Sequence, residues 1–236
     1  MPGIKGFDEI EAELARHPGK IAHDEWRNLA RIFYDIYQKN RKELVERLEE
    51  PSKNDKLSTE LFQNVRPQTV KEAYTNEVLR SLFNYLSSLS SLVDTGMRLV
   101  GKYSSEQMAE YDKPKTLLIN SDVNSFFGKL RNYIQHYGIP PLGWEIRLNN
   151  NSFNSCTYFL SKDKLLAWDG WNAKAKAYIG DQNVNLLESV QAHGDMVDKA
   201  YHALLSLFPI IHSADTAAYN ELMHRRNDIL SGKIKL

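Results

Sequence analysis

Cysteine is almost missing from this chain: Cys156 is the only one in 236 residues. An internal disulfide framework is excluded, and so is every multi-cysteine metal site. Charge of one sign is missing as well, since 30 basic side chains balance 30 acidic ones. A protein that tracks a duplex through its phosphates carries a basic excess, so extensive tracking is not expected. Contact with a few nucleotides needs no such excess. No apolar run approaches a membrane span, and residues 1–8 hold no apolar segment of the kind that targets a chain for export. A cytoplasmic protein without a membrane partner is expected. A Gly-rich phosphate loop, a His-Glu-x-x-His pair, a Gly-x-Ser-x-Gly elbow and a Rossmann fingerprint are also missing, which removes the commonest enzyme classes.

What is present reads as helix. Apolar residues make up 42% of the chain, enough for a sizeable core. Residues 7–17 suit a short amphipathic helix that stops at Pro18-Gly19. Trp26, Leu29, Ala30, Phe33, Ile36, Tyr37 and Leu44 recur at helical spacing over 24–49, with Asp24 as the expected N-cap. Residues 50–67 hold two prolines and many polar side chains and read as a loop with room for one short turn. A helix about 50 Å long is expected over 69–103. Its buried side is marked by Leu79, Leu82, Phe83, Leu86, Leu89, Leu92, Val93, Met97 and Val100. A polar connection, 104–115, leads to the next helix.

After Pro141 the pattern alternates through Trp144-Glu145-Ile146-Arg147-Leu148, turns at Asn149-Asn150-Asn151-Ser152, and becomes strand-like at Cys156-Thr157-Tyr158-Phe159-Leu160. A β-hairpin is expected over 144–160. Ser161 then caps a helix carrying Leu165, Leu166, Trp168, Trp171, Ala175 and Tyr178. Another long helix covers 185–208, with Gly194 as a weak point and Pro209 at its end. Ser213 caps a last helix to about 230. No internal repeat is visible. The expected architecture is one all-α domain over 1–236. It has N-terminal helices in 1–50, a core helix pair in 68–137, the hairpin in 144–160 and C-terminal helices in 162–231.

Chemistry concentrates in residues 123–141. On a helix, Val123, Phe126, Phe127, Leu130, Tyr133, Ile134 and Tyr137 fall on one side. Opposite them lie Ser125, Gly128, Asn132 and Gln135, with Arg131 and His136 at the two edges of this polar face. Gly138 is a natural C′ residue, and Pro140-Pro141 cannot continue the helix. His136 therefore sits in the last turn, where the helix dipole favours an imidazolium. An arginine, an amide and a titratable imidazole share one exposed surface.

The pattern Arg131-Asn132-x-x-x-His136 near the end of a helix resembles the signature of HEPN domains, a family of all-helical proteins that includes many metal-independent endoribonucleases. The resemblance is sharp over 130–141 and architectural elsewhere. It implies an HEPN-like antiparallel bundle with long helices, here with a small β-hairpin inserted after the motif helix. It also implies an active site of Arg131, Asn132 and His136, completed by the same motif from a second copy, with no metal and no cofactor. In such a site His136 would be the general acid/base, Arg131 the transition-state stabiliser and Asn132 the positioning residue. Arg131 and His136 lie about 140° apart on an ideal helix. A two-fold homodimer would bring two copies of the face to one phosphate, and Gly128 would allow close approach. The implied biology is that of a toxin with an antitoxin partner, or of phage defence. In some members a tyrosine two residues after the histidine is modified by a partner nucleotidyltransferase; here that position is Gly138, and Tyr137 lies one residue early.

Two readings follow. One is an RNA-cleaving homodimer; the other is a catalytically silent HEPN-like module that binds RNA, a nucleotide or a protein partner. The hairpin would either gate the cleft or build the dimer.

Other candidates have plainer explanations beside the functional ones. His193 and His202 lie about 180° apart on one helix and cannot share a metal unaided. The cluster His224-Arg225-Arg226-Asn227-Asp228 reads as an RNA contact or a solvated helix face. His23-Asp24-Glu25 reads as ligand-type residues or a capped helix start. Trp168-Asp169-Gly170-Trp171 and the tyrosines read as base-stacking groups or as core packing.

Overall fold

The computed structural model describes residues 6–62, 69–149 and 152–234. Helix α1 (Phe7–Arg16) is followed directly by α2 (Pro18–Arg31), a π-helical segment (Ile32–Tyr37) and α3 (Gln38–Lys53). The last three form one continuous helical course. It starts six residues before the expected cap, because Pro18-Gly19 opens this helix rather than merely closing the one before. Proline at the first helical position gives up an N–H that would be unpaired anyway, and the His17 ring accepts from the Gly19 N–H at 3.1 Å. Asp24 lies inside the helix, where it pairs with Lys20 at 2.6 Å.

The expected loop over 50–67 is also largely helical: α3 runs through Pro51 to Lys53, and α4 covers Asp55–Phe62. Residues 63–68 lie outside the described ones. Pro51 has no N–H for the Arg47 carbonyl, and the Tyr74 hydroxyl donates to that carbonyl instead, at 2.7 Å. The proline is accommodated by a side chain from the next helix.

That next helix, α5 (Thr69–Val100), has 32 residues and is about 48 Å long. Its buried face is turned relative to expectation. Phe83, Val93 and Met97 are exposed, whereas Tyr74, Val78, Leu82, Tyr85, Leu86, Leu89, Leu92 and Leu99 are buried together with Ser81 and Ser88. Buried serines let neighbouring helices come close, which a purely apolar count does not register. At Gly96 an added Cβ would sit 2.9 Å from the Tyr201 hydroxyl. That open space lets Tyr201 donate to the Leu92 carbonyl at 3.1 Å.

Helix α6 (Ala109–Asn120) occupies most of the expected connection. Its buried side is only Tyr111 and Leu118, while Leu117 and Ile119 face solvent, so its apolar stripe is weak. Helix α7 (Asp122–His136) follows after Ser121.

Strands β1 (Leu142–Asn149) and β2 (Ser152–Leu160) form the hairpin, and β3 (Val184–Asn185) extends it to a three-stranded antiparallel sheet in the order β1-β2-β3. Strand β2 rests mainly on α3, α10 and α4.

The helix expected after Ser161 is broken into α8 (Lys162–Leu166) and α9 (Ala173–Ile179). Asp169-Gly170 turns the chain between them, and Asn172 caps α9 by accepting the Ala175 N–H at 2.9 Å. Trp171 is buried against Phe126, with ring centroids 5.7 Å apart. Helix α10 (Leu186–Ser206) is capped by Asn185 and runs through the bundle centre; Pro209 lies in the short α11 (Phe208–Ile211). Helix α12 (Ser213–Leu230) buries no residue fully and packs on α1 and α2. One core cluster extends from Trp26 on α2 to Leu207 after α10. No described helix is long and apolar enough to cross a membrane.

Candidate functional site

Helix α7 owes its position to both of its ends and to one face. Ser121 Oγ accepts the Asn124 N–H at 3.2 Å, and Asp122 lies in the positive first turn. Val123, Phe126, Phe127, Leu130 and Tyr133 are buried as the spacing predicts, and Ile134 is half-buried. Tyr137 departs from the expected stripe: it caps the helix and is 53% exposed. Gly138 departs too. Its N–H and that of Tyr137 both donate to the Tyr133 carbonyl, at 3.0 and 2.8 Å, but its φ is not positive. The helix ends without a left-handed glycine, and Pro140, buried behind it, turns the chain into β1.

The buried face leaves the opposite one to solvent. His136 is exposed, while Arg131 and Asn132 are half-buried. None of these three side chains forms a hydrogen bond or ion pair with a described residue. Gly128 is open, with nothing within 4 Å of an added Cβ. At the upstream end of the face, Ser125 Oγ donates to Asn172 Oδ1 at 2.8 Å, which ties α9 beside α7. The hairpin's principal helix partners are elsewhere, and His136 is left open. The three motif side chains are therefore on one helix face, with the arginine and the histidine at its two edges.

Two turns upstream, the same helix reaches a polar cluster inside the bundle. His193 on α10 is fully buried. Its Nε2 lies 3.2 Å from Asn124 Oδ1 on α7, and its Nδ1 lies 2.6 Å from the Tyr85 hydroxyl on α5. With Nε2–H donating to Asn124, Nδ1 accepts from Tyr85. Burial, reinforced by the Arg41 charge, pushes the imidazole down to about 3, so it is neutral at neutral pH. Phe127 packs on its ring at a centroid distance of 4.7 Å.

Beside it, Arg41 on α3 donates to Asp198 Oδ2 at 2.6 Å and Asp195 Oδ1 at 2.7 Å. Partial burial opposes the guanidinium charge, and the two carboxylates outweigh it, so its pKa stands above the ordinary value. The Tyr37 hydroxyl and Asp198 Oδ1 are buried without a hydrogen-bond partner among the described residues. Burial, with Tyr85 next to it, holds the Tyr37 phenol well above its usual pKa. Arg41, Asp195 and Asp198 line a cleft of about 490 Å³ with Gln38, Lys42, Val45 and Gln191.

Sequence reasoning noticed His193 and Gly194 but missed the cluster. The usable signal was Gly194 in a helix interior, because a Cβ there would overlap the Arg41 guanidinium. Several other candidate residues have partners within the chain. His202 is exposed, with its Nδ1 3.2 Å from the Tyr34 hydroxyl. Arg226, in the C-terminal basic cluster, pairs with Glu11 of α1. Trp168 packs edge-on against Trp171 and Tyr133. Among the described residues, no group of three or more His, Cys, Asp or Glu side chains is arranged to hold a metal ion. Cys156 is buried, which raises its thiol pKa to about 12. Compared with known proteins, the chain matches no family model, no curated protein and no solved structure.

Proposed function

We propose that this protein is an HEPN-like endoribonuclease that cleaves RNA by attack of a 2′-OH on the adjacent phosphate. The observation that carries the reading is that Arg131, Asn132 and His136 stand on the solvent side of α7 with no polar partner among the described residues. The other side of the same helix is buried by five residues. A rigid helix that exposes an unpaired cation and a titratable ring has both groups available for a ligand.

In the proposed step the 2′-oxygen forms a bond to phosphorus as the bond to the 5′-oxygen breaks. A base takes the 2′-OH proton, and an acid returns a proton to the leaving 5′-oxygen. The products are a 2′,3′-cyclic phosphate and a 5′-OH end. His136 serves the proton transfers, Arg131 offers its planar fork to the crowded phosphate, and Asn132 orients either group. Arg131 and His136 lie at opposite edges of one helix face, so the working form is a homodimer in which a second copy completes the site. A cytoplasmic toxin or defence role, with an antitoxin as the controlling partner, belongs to the same proposal. A silent module that only binds RNA, a nucleotide or a protein is the competing reading, favoured by the wide angular separation of the two side chains.

Incubation of a labelled single-stranded RNA panel in EDTA separates the two. The wild type should cleave, and His136→Ala and Arg131→Ala should each lose about 100-fold or more in rate while keeping the wild-type circular dichroism and oligomeric state. An inactive wild type, or variants that cleave equally well, would transfer the motif to the binding reading.

A further inference from the structure

Among the described residues, the sheet closes one of its edges at Cys156 and leaves the backbone of Ile146 on the other without a partner. Cys156 on β2 turns both backbone polar groups towards α3: its N–H donates to Ser52 Oγ at 2.9 Å, and the Ser52 hydroxyl donates to its carbonyl at 3.2 Å. Beyond that point β3 pairs with Phe159 and Leu160. Because Cys156 points away from β1, the facing pair Ile146↔Cys156 is a non-hydrogen-bonded pair of the ladder. The Ile146 N–H and C=O therefore point away from β2 as well, to the outer side of β1. Among the described residues they meet no partner. The register shift beyond Arg147 places the extra residue on β2, where Leu148 faces Phe153 after Arg147 faces Ser155. The outer edge of β1 continues without an insertion.

We infer that this edge pairs antiparallel with the β1 edge of a second copy of the chain, with the two-fold axis at Ile146. A two-fold antiparallel ladder on this edge centres on a residue that faces its own copy, as a hydrogen-bonded pair at Ile146 or as a non-hydrogen-bonded pair at Glu145 or Arg147. In the register centred on Ile146, Glu145 of each copy faces Arg147 of the other. Both side chains are well exposed, at 60% and 71%, and lie in reach of each other along the strand at 3.6 Å. The opposed pairs put opposite charges on the solvent face and Ile146 against its own copy on the apolar face. Centring on Glu145 or Arg147 instead would oppose like charges, which destabilises a cross-strand pair. Of the registers centred on 145, 146 and 147, the one on Ile146 is complementary in charge. The inference rests on the sheet alone and not on the ribonuclease reading.

Sedimentation analysis over a concentration series tests it, with Ile146→Cys as a covalent reporter. Residues facing across such a pair lie about 5.5 Å apart at Cα, within the span of a disulfide; because Cys156 faces Ile146 within the chain, the reporter is made in a Cys156→Ala background. The wild type should sediment as a dimer, and oxidised Ile146→Cys should trap it covalently. Arg147→Glu should abolish both by opposing two glutamates, with the dimer weakened about tenfold or more. The double swap Glu145→Arg, Arg147→Glu should restore both, because the pair is again complementary. A monomeric wild type overturns the inference. So does a dimer indifferent to Arg147→Glu, or a swap that fails to restore association while keeping the native circular dichroism.

Discussion

At the scale of single residues, the motif and the buried cluster use histidine in opposite ways. His136 is exposed in the last turn of α7. His193 is enclosed by Tyr85, Asn124 and Phe127 and kept neutral. Its folded pKa of about 3 lies below the ordinary 6.5, so the unfolded chain takes up the proton first. The stability from burying neutral His193 is complete above about pH 6.5 and is lost as pH falls from there towards 3. The loss from this group is up to about 1.4 kcal/mol per pH unit. Urea unfolding at pH 7 and pH 4.5 should show a steep drop for the wild type. His193→Gln should be weaker at pH 7 yet flatter between the two, and an unchanged slope in that variant would contradict the assignment. The shared helix face of Arg131, Asn132 and His136 was legible because their spacing is local in sequence. The buried cluster was not, since Arg41, Tyr85, Asn124 and His193 come from four separate helices and only the fold brings them together.

Element by element, legibility followed the strength of the apolar stripe and the ambiguity of proline. Helix α7 and the hairpin lie where their periodicities place them, α7 because five core residues repeat on one side and the hairpin because alternation and an asparagine turn coincide. The exposed positions of Phe83, Val93 and Met97 on α5 show the limit: buried serines shift the face that a hydrophobic count picks out. Proline misled twice. Pro18 starts α2, and Pro51 continues α3 because Tyr74 supplies the missing donor to Arg47. Tyr74→Phe should leave that carbonyl short of a partner and cost about 1–2 kcal/mol, read as a lower thermal midpoint. An unchanged midpoint would mean that water replaces the tyrosine hydroxyl there. The break between α8 and α9 was hidden because Leu165, Trp168, Trp171 and Ala175 keep helical spacing across a turn.

For the molecule as a whole, one buried core carries two exposed surfaces that are joined in sequence. Helix α7 presents the motif, and Pro140-Pro141 lead directly from it into β1, whose outer edge carries the self-complementary charges. A second copy placed by that edge is related to the first by a two-fold axis, the symmetry that a site built from two motif copies requires. The proposed activity needs a two-fold dimer but not this edge: a dimer indifferent to Arg147→Glu removes the proposed contact alone, whereas a monomeric wild type removes both. The central claim is chemical: the attacking group belongs to the RNA and not to water. The most direct measurement compares an all-ribose RNA with the same sequence carrying 2′-O-methyl groups, both incubated in EDTA, with the ends identified by mass spectrometry. The account predicts cleavage of the first to 2′,3′-cyclic phosphate and 5′-OH ends and none of the second. An uncut ribose strand, equal cleavage of the methylated one, or 5′-phosphate products would contradict it.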